Sequence, residues 1–291
     1  MRILVTGVTG QLGSEVIKTL SLRGHEVIGT ARNLRSLPVL PNVSYASLDL
    51  ADAGQIRAVL TEARPEAVIH CAAYTAVDDA EENSALCYLV NESAAETVAK
   101  LCGELDAALL YTSTDYVFDG SGSRPWTPED APAPLNVYGA SKYAGERAVA
   151  HFAPKHFIVR ISWTYGKTGN NFVKTMLSLG QKTNPVRVVN DQIGSPTYIP
   201  DLAPLLADLT ASGRYGIYHA ANRGFCSRYE FACEIFRLAK LPVTVLPVDS
   251  SAFPTKALRP KNSRMDTKKL SENGLYELPS WQDGIKRYFL E

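Results

Sequence analysis

Arg2-Ile-Leu-Val-Thr-Gly7-Val-Thr-Gly10-Gln-Leu-Gly13 stands at the start of the chain, and its reading decides the fold. Residues Arg2 to Thr6, with Ile-Leu-Val at their heart, have the apolar continuity of a short, fully buried strand. Leu12, Val16 and Leu20 recur at the i, i+4, i+8 spacing of one helix face. Between strand and helix, Gly7, Gly10 and Gly13 form GxxGxxG, a wider-gapped relative of the dinucleotide fingerprint GxGxxG. Glycine permits a tight turn and lets backbone amides approach a pyrophosphate. The helix beginning near Gln11 aims its positive end at that phosphate. Three glycines alone are weak evidence; the buried strand before them and the amphipathic helix after them supply the needed context. Gly7, Gly10, Gln11, Leu12 and Gly13 are therefore candidate cofactor-binding residues.

Outward from this unit the pattern repeats. Strands are expected at 25–30, 43–48, 67–71, 107–112 and 157–161, and helices around 56–63, 84–102 and 138–151. A Gly-, Ser- and Pro-rich loop covers 119–135. Regular alternation means βαβ units and a parallel sheet covered on both faces. The expected class is α/β: a Rossmann-type doubly wound parallel sheet with a smaller C-terminal substrate lobe. After Trp163 the pattern loosens. A helix at 171–180, strands at 186–189 and 216–219, and a helix at 227–239 remain, punctuated by prolines at 242, 247, 254 and 260. We divide the chain into a dinucleotide-binding domain over 1–165 and a mainly substrate-binding lobe over 166–291. Strand segments within about 183–222 are expected to return to the first domain. In open α/β sheets the ligand crevice lies at the C-terminal strand ends.

The chain has 291 residues, 45% of them hydrophobic, enough for one large domain or a domain with a lobe. Thirty basic residues balance thirty acidic ones, so no strong field draws nucleic acid or an anionic membrane. Neither is an expected partner. The five cysteines are odd in number, contain no CxxC and match no zinc spacing. They read as free thiols of a cytoplasmic protein. The chain enters a strand directly without signal-peptide architecture, and no apolar run could span a bilayer. No metal is expected.

An NAD site expects an acidic residue after the second strand, to bond the ribose 2′-hydroxyl. Here Gly29-Thr-Ala-Arg32 offers none, and Arg32 could pair with a 2′-phosphate instead. NADPH is therefore expected over NADH. Asp49, ending the third strand, could bond the adenine amino group or cap a turn. Tyr138-Gly-Ala-Ser-Lys142 puts a phenol and an amine on one helix face. Tyrosine alone is a poor acid at neutral pH, and a nearby ammonium is expected to lower its pKa. YxxxK pairs also arise by chance. Ser113-Thr114-Asp115-Tyr116, ending the fifth strand, provides a hydroxyl that could hold the substrate oxygen beside Tyr138.

At this point the chain resembles a known family. Joined to the motifs above are His70-Cys-Ala-Ala-Tyr-Thr-Ala-Val-Asp78, Val117-Phe-Asp-Gly120, Arg160-Ile-Ser-Trp-Thr-Tyr-Gly166, Asn170-Asn-Phe-Val173, Asn190-Asp-Gln-Ile-Gly-Ser-Pro-Thr197 and Arg259-Pro-Lys-Asn-Ser263. Together they look like the dTDP-4-dehydrorhamnose reductases, extended short-chain dehydrogenases. The resemblance implies hydride transfer from NADPH to C4 of a nucleotide-linked 4-ketosugar. Tyr138 would be the acid, Lys142 its tuner, and Thr114 a second bond to the reacting oxygen. It also implies that Leu50, Ala72, Ala73 and Tyr74 join the cofactor site, and that Thr75, Val77, Asp115, Tyr116 and Trp163 line the sugar pocket. Trp163 could equally be core, and Asp115 could cap a turn. Arg259 and Lys261 would meet the sugar diphosphate or be solvated loop charges. Asn91 could bond a water near Lys142 or be structural. Some relatives hold a metal at a dimer contact; Glu15 alone makes no carboxylate cluster for one. Partnership with a second copy of the chain is left open.

Other readings share the scaffold. A 4,6-dehydratase would place Asp-Glu after the threonine, whereas Asp115 is followed by Tyr116. An epimerase would keep NAD locked in place. A reductase for another nucleotide-deoxysugar is a further alternative. The rival from a different class is a non-catalytic regulatory subunit like the β subunit of methionine adenosyltransferase. Retention of Thr114, Tyr138 and Lys142 weighs against that, although fold alone never fixes function.

Overall fold

The computed structural model describes residues 1–290. Seven strands form its main sheet: β1 (Arg2–Thr6), β2 (Glu26–Ala31), β3 (Val43–Ser47), β4 (Ala67–His70), β5 (Ala108–Thr114), β6 (His156–Ile161) and β7 (Gly216–Ala220). Their spatial order is β7-β6-β5-β4-β1-β2-β3, and every pairing is parallel. In the centre Val5 lies between Gly29 and Ile69. Because β2 and β4 leave β1 in opposite directions, a crevice opens at the C-terminal ends of β1 and β4.

The Ile-Leu-Val run is buried because both sheet faces are covered. Helix α1 (Gln11–Leu22) turns Val16, Ile17 and Leu20 onto one face. A later helix that we had not expected, Ile199–Ser212, covers the same face with Leu202, Leu205, Leu206 and Leu209. Pro200 and Pro204 hid it. Pro200 sits in the first turn, where backbone amides have no intrahelical partner, and Pro204 is tolerated within a helix held by its buried face. The opposite face carries the helices Ala53–Ala63 and Ala94–Glu104 and the helix α2 (Val137–Phe152).

The expected helix over 84–102 runs from Ser84 to Glu104, but not as a regular α-helix. Residues Leu89–Ser93 form a π-helical turn, a wide turn common at functional sites. The expected strand Val186–Val189 pairs with Val245–Val248 in a separate two-stranded sheet, away from the main one, whereas Gly216–Ala220 is its edge strand. A third apolar cluster gathers Tyr165, Val173, Met176, Phe231, Ile235 and Trp281. Its closing helix, Trp281–Leu290, buries Trp281, Ile285 and Tyr288 and has no counterpart among the expected elements. The cysteines are all free. No helix among the described residues is long and apolar enough to cross a membrane.

Candidate active site

The C-terminal ends of β1, β2, β4, β5 and β6 surround a cavity of about 720 Å3. Gly7 adopts φ +73°, where side chains are strained, and a Cβ there would come 2.8 Å from the Ala72 Cα. A Cβ on Gly13 would meet the Gly7 carbonyl oxygen at 2.3 Å. The two glycines therefore let β1, α1 and the β4 loop close on one another. Gly10 caps α1 without a side-chain hydrogen bond to the helix's first-turn amides, which lie at the cavity. These features fit a bound pyrophosphate. Gln11, Leu12, Arg32, Asp49, Leu50, Ala72, Ala73 and Tyr74 line the same cavity. Asp49 also accepts the Ala51 amide at 3.0 Å, the turn-capping arrangement.

At the other end lie Thr75, Val77, Thr114, Asp115, Tyr116, Tyr138, Lys142 and Trp163. Strand β5 ends on Thr114, whose hydroxyl accepts the Tyr116 amide at 3.2 Å and lies close to the Tyr138 phenol. Asn136 caps α2 by accepting the Gly139 amide at 2.8 Å, which fixes the turn that carries Tyr138. Burial raises the Tyr138 pKa above that of an ordinary phenol, and the neighbouring Thr114 only partly opposes this. The expected lowering by Lys142 does not prevail. Lys142 Nζ donates to the Thr112 carbonyl at 2.8 Å and lies 3.9 Å from the centre of the Tyr111 ring. Burial lowers the Lys142 pKa to about 7, with Glu146 opposing, so the amine is itself only partly charged near neutrality.

Asp115 is 2% exposed. Burial raises its pKa to about 6 against the pull of Ser263, Arg228 and Thr114. Its Oδ1 accepts from Thr114 at 3.2 Å, while Oδ2 meets no partner at hydrogen-bond distance. Ser113 Oγ, also on the cavity wall, is equally unpartnered. Trp163 has φ +48°, a strained conformation of the kind that gathers at functional sites.

Asn91 sits in the π-helical turn and its side chain is fully engaged. It accepts the Tyr74 amide at 2.8 Å and donates to the Tyr74 carbonyl at 3.1 Å and to Ser141 Oγ at 2.9 Å. It thus ties the cofactor-side wall to the helix bearing Tyr138. Arg259 and Lys261 do not line this cavity but a neighbouring one. The Arg259 guanidinium grips Asp78 at 3.0 and 2.6 Å. Lys261, in the same neighbouring cavity, pairs with Asp191 at 2.9 Å. Sequence reasoning missed Arg228, which lines both cavities and stacks on Trp163. No local motif marks it; only folding brings residue 228 beside residue 163.

Comparison with known proteins adds an independent line. The chain is 39% identical over 306 aligned residues to the dTDP-4-dehydrorhamnose reductase of Escherichia coli strain K12, covering 100% of this chain and 98% of that one. A crystal structure of dTDP-4-dehydrorhamnose reductase from Bacillus anthracis in complex with NADP superposes with a TM-score of 0.89 at 42% identity, covering 99% of this chain and 98% of that one. An orthologous reductase structure from Clostridium acetobutylicum gives 0.91 at 37% identity, with 99% and 98% covered. The family model described as the RmlD substrate binding domain matches residues 1–291, and the chain belongs to that family.

Proposed function

We propose that this protein is an NADPH-dependent reductase that converts the C4 ketone of dTDP-4-dehydro-β-L-rhamnose to the alcohol of dTDP-L-rhamnose. One observation carries the reading: a half-buried phenol beside a threonine hydroxyl shares a cavity with a turn of closely packed glycines suited to a phosphate. The relatives bearing that activity in their names, and the NADP in the Bacillus anthracis structure, support it.

When bound, NADPH supplies the hydride. Gly7, Gly10, Gln11, Leu12 and Gly13 would hold its pyrophosphate, and Arg32 its 2′-phosphate. Asp49, Leu50, Ala72, Ala73 and Tyr74 would complete that wall. Tyr138 keeps its proton at neutral pH, as an ordinary phenol does and more so where burial raises its pKa, so it can donate as negative charge develops on the ketone oxygen. Thr114, beside the same phenol, would hold that oxygen. Lys142 would leave the Thr112 carbonyl to bond ribose hydroxyls. Thr75, Val77, Asp115, Tyr116 and Trp163 would shape the sugar pocket, with Arg259 at its outer edge. A glutamate after Asp115, which a dehydratase would need, is absent. We assign residues 1–165 to cofactor binding and 166–291 mainly to the substrate, and place the reaction in the cytoplasm, to which the free cysteines are suited.

The test offers dTDP-4-dehydrorhamnose with NADPH or NADH, follows absorbance loss and identifies the sugar by NMR. NADPH should be the better donor. Tyr138→Phe should lower kcat by about 10²- to 10⁴-fold with near-normal NADPH affinity. A Tyr138→Phe enzyme with the wild-type rate would remove Tyr138 as the acid.

A further inference from the structure

The site cavity and its neighbour, of about 720 and 1000 Å3, share Trp163, Thr164 and Arg228. A ligand with its sugar at Tyr138 and its nucleoside in the second cavity must carry its linking diphosphate past these residues. Among them only Arg228 is charged. We propose that Arg228 binds the diphosphate of the nucleotide sugar, a role that rests on the reductase reading above.

The other cations of the second cavity are already engaged, Arg259 with Asp78 and Lys261 with Asp191. The Arg228 guanidinium has no ion pair or hydrogen bond among the described residues. Its face is used instead: the central carbon lies 3.6 Å from the centre of the Trp163 ring and 5.1 Å from that of Phe172. Gly194 packs against the same indole, where a Cβ would approach the ring to 2.8 Å. Stacking of this kind consumes the π face and leaves the in-plane N–H donors free, the geometry with which arginine grips phosphate.

Position and energetics agree. Arg228 opens helix α3, counting in chain order the cofactor helix α1, the Tyr138 helix α2 and now Arg228–Leu238. Ser227 and Glu230 form a capping box on that first turn, with bonds of 3.0 and 2.6 Å, so the cation is held in place. Burial and Arg259 disfavour its charge, while Tyr116, Asp115 and Cys226 favour it. A partly desolvated cation without a counter-ion at bonding distance is costly, and an arriving anion relieves that cost.

Calorimetric titration of the full-length protein with dTDP and with thymidine tests this. Wild type should bind dTDP far more tightly. Arg228→Gln should weaken dTDP by about 10- to 100-fold, as expected for losing a charged hydrogen bond, and leave thymidine affinity unchanged. Arg228→Lys should recover part of the loss. Wild-type dTDP affinity in Arg228→Gln, or an equal loss for thymidine, would overturn the assignment. If wild type prefers UDP and Arg228→Gln weakens UDP, Arg228 keeps its role and the thymidine part of the proposed function fails. If wild type binds no nucleoside diphosphate, both fail.

Discussion

Lys142 and Arg160 are both 2% exposed, yet the structure treats the two cations in opposite ways. Arg160, on β6, is fully answered. Glu146 accepts from its Nε at 2.9 Å and its Nη2 at 2.7 Å, and the Pro128 carbonyl accepts a further bond at 3.3 Å. Lys142, on the cavity wall, has a carbonyl and the Tyr111 ring for company and no carboxylate within ion-pair distance. Glu146 lies near enough to support its charge but is committed to Arg160. A paired buried ion holds structure together. An unpaired one is kept at a cost that only a ligand or a reaction explains.

The sharpest break of this contrast is in activity. Lys142→Met should cut kcat/KM by about 10²- to 10⁴-fold, the range for losing a member of an acid–base apparatus. Its stability at neutral pH should stay within about 1 kcal/mol of wild type or exceed it, since an apolar chain replaces a desolvated amine. Steady-state rates and urea unfolding measure the two. A large stability loss with normal rates would reverse the roles assigned here.

Glu146→Ala should do the opposite. It strands Arg160 in the interior, and removing one partner of a buried pair costs about 3–5 kcal/mol. Adding Arg160→Met should recover most of that loss. An unchanged urea midpoint for Glu146→Ala would mean that water or His219 already satisfies the guanidinium.

The smallest effect is in pH dependence. Burial lowers the Lys142 pKa to about 7 from an ordinary 10.5. Below about pH 7 both folded and unfolded chains carry the proton, and the full cost of burying the charge is present. As pH rises toward 10.5 only the unfolded chain still binds it, so stability rises through that window. Wild type should therefore gain on Lys142→Met between these limits, by on the order of a few kcal/mol at most. A flat difference in unfolding free energy across the window would show that Lys142 stays charged when folded.

Much of this molecule was legible from local pattern. The strand-glycine-helix unit and the strand-helix alternation follow from periodicities of 2 and 3.6, which neighbouring residues alone define. The wall residues came with the motifs: Thr114 ends a strand, and Tyr138 and Lys142 share a helix face. Other features were not legible. Pro200 and Pro204 read locally as breaks, while burial of Leu202, Leu205 and Leu209 makes their segment a helix. Asn91 gave no sign of bonding both Tyr74 and Ser141, because those contacts span chain separations that no local signal encodes.

The sequence by itself therefore determined the sheet, the glycine turn and the placing of Tyr138 and Lys142 on one helix face. Each depends on spacing along the chain. Only the tertiary structure decided the electrostatics: that burial and not Lys142 sets the Tyr138 phenol, that Arg259 is bound to Asp78, and that Arg228 is left without an anion. The reason is physical. Desolvation and pairing depend on what surrounds a group in space, and for these side chains the surroundings come from segments far apart in the chain.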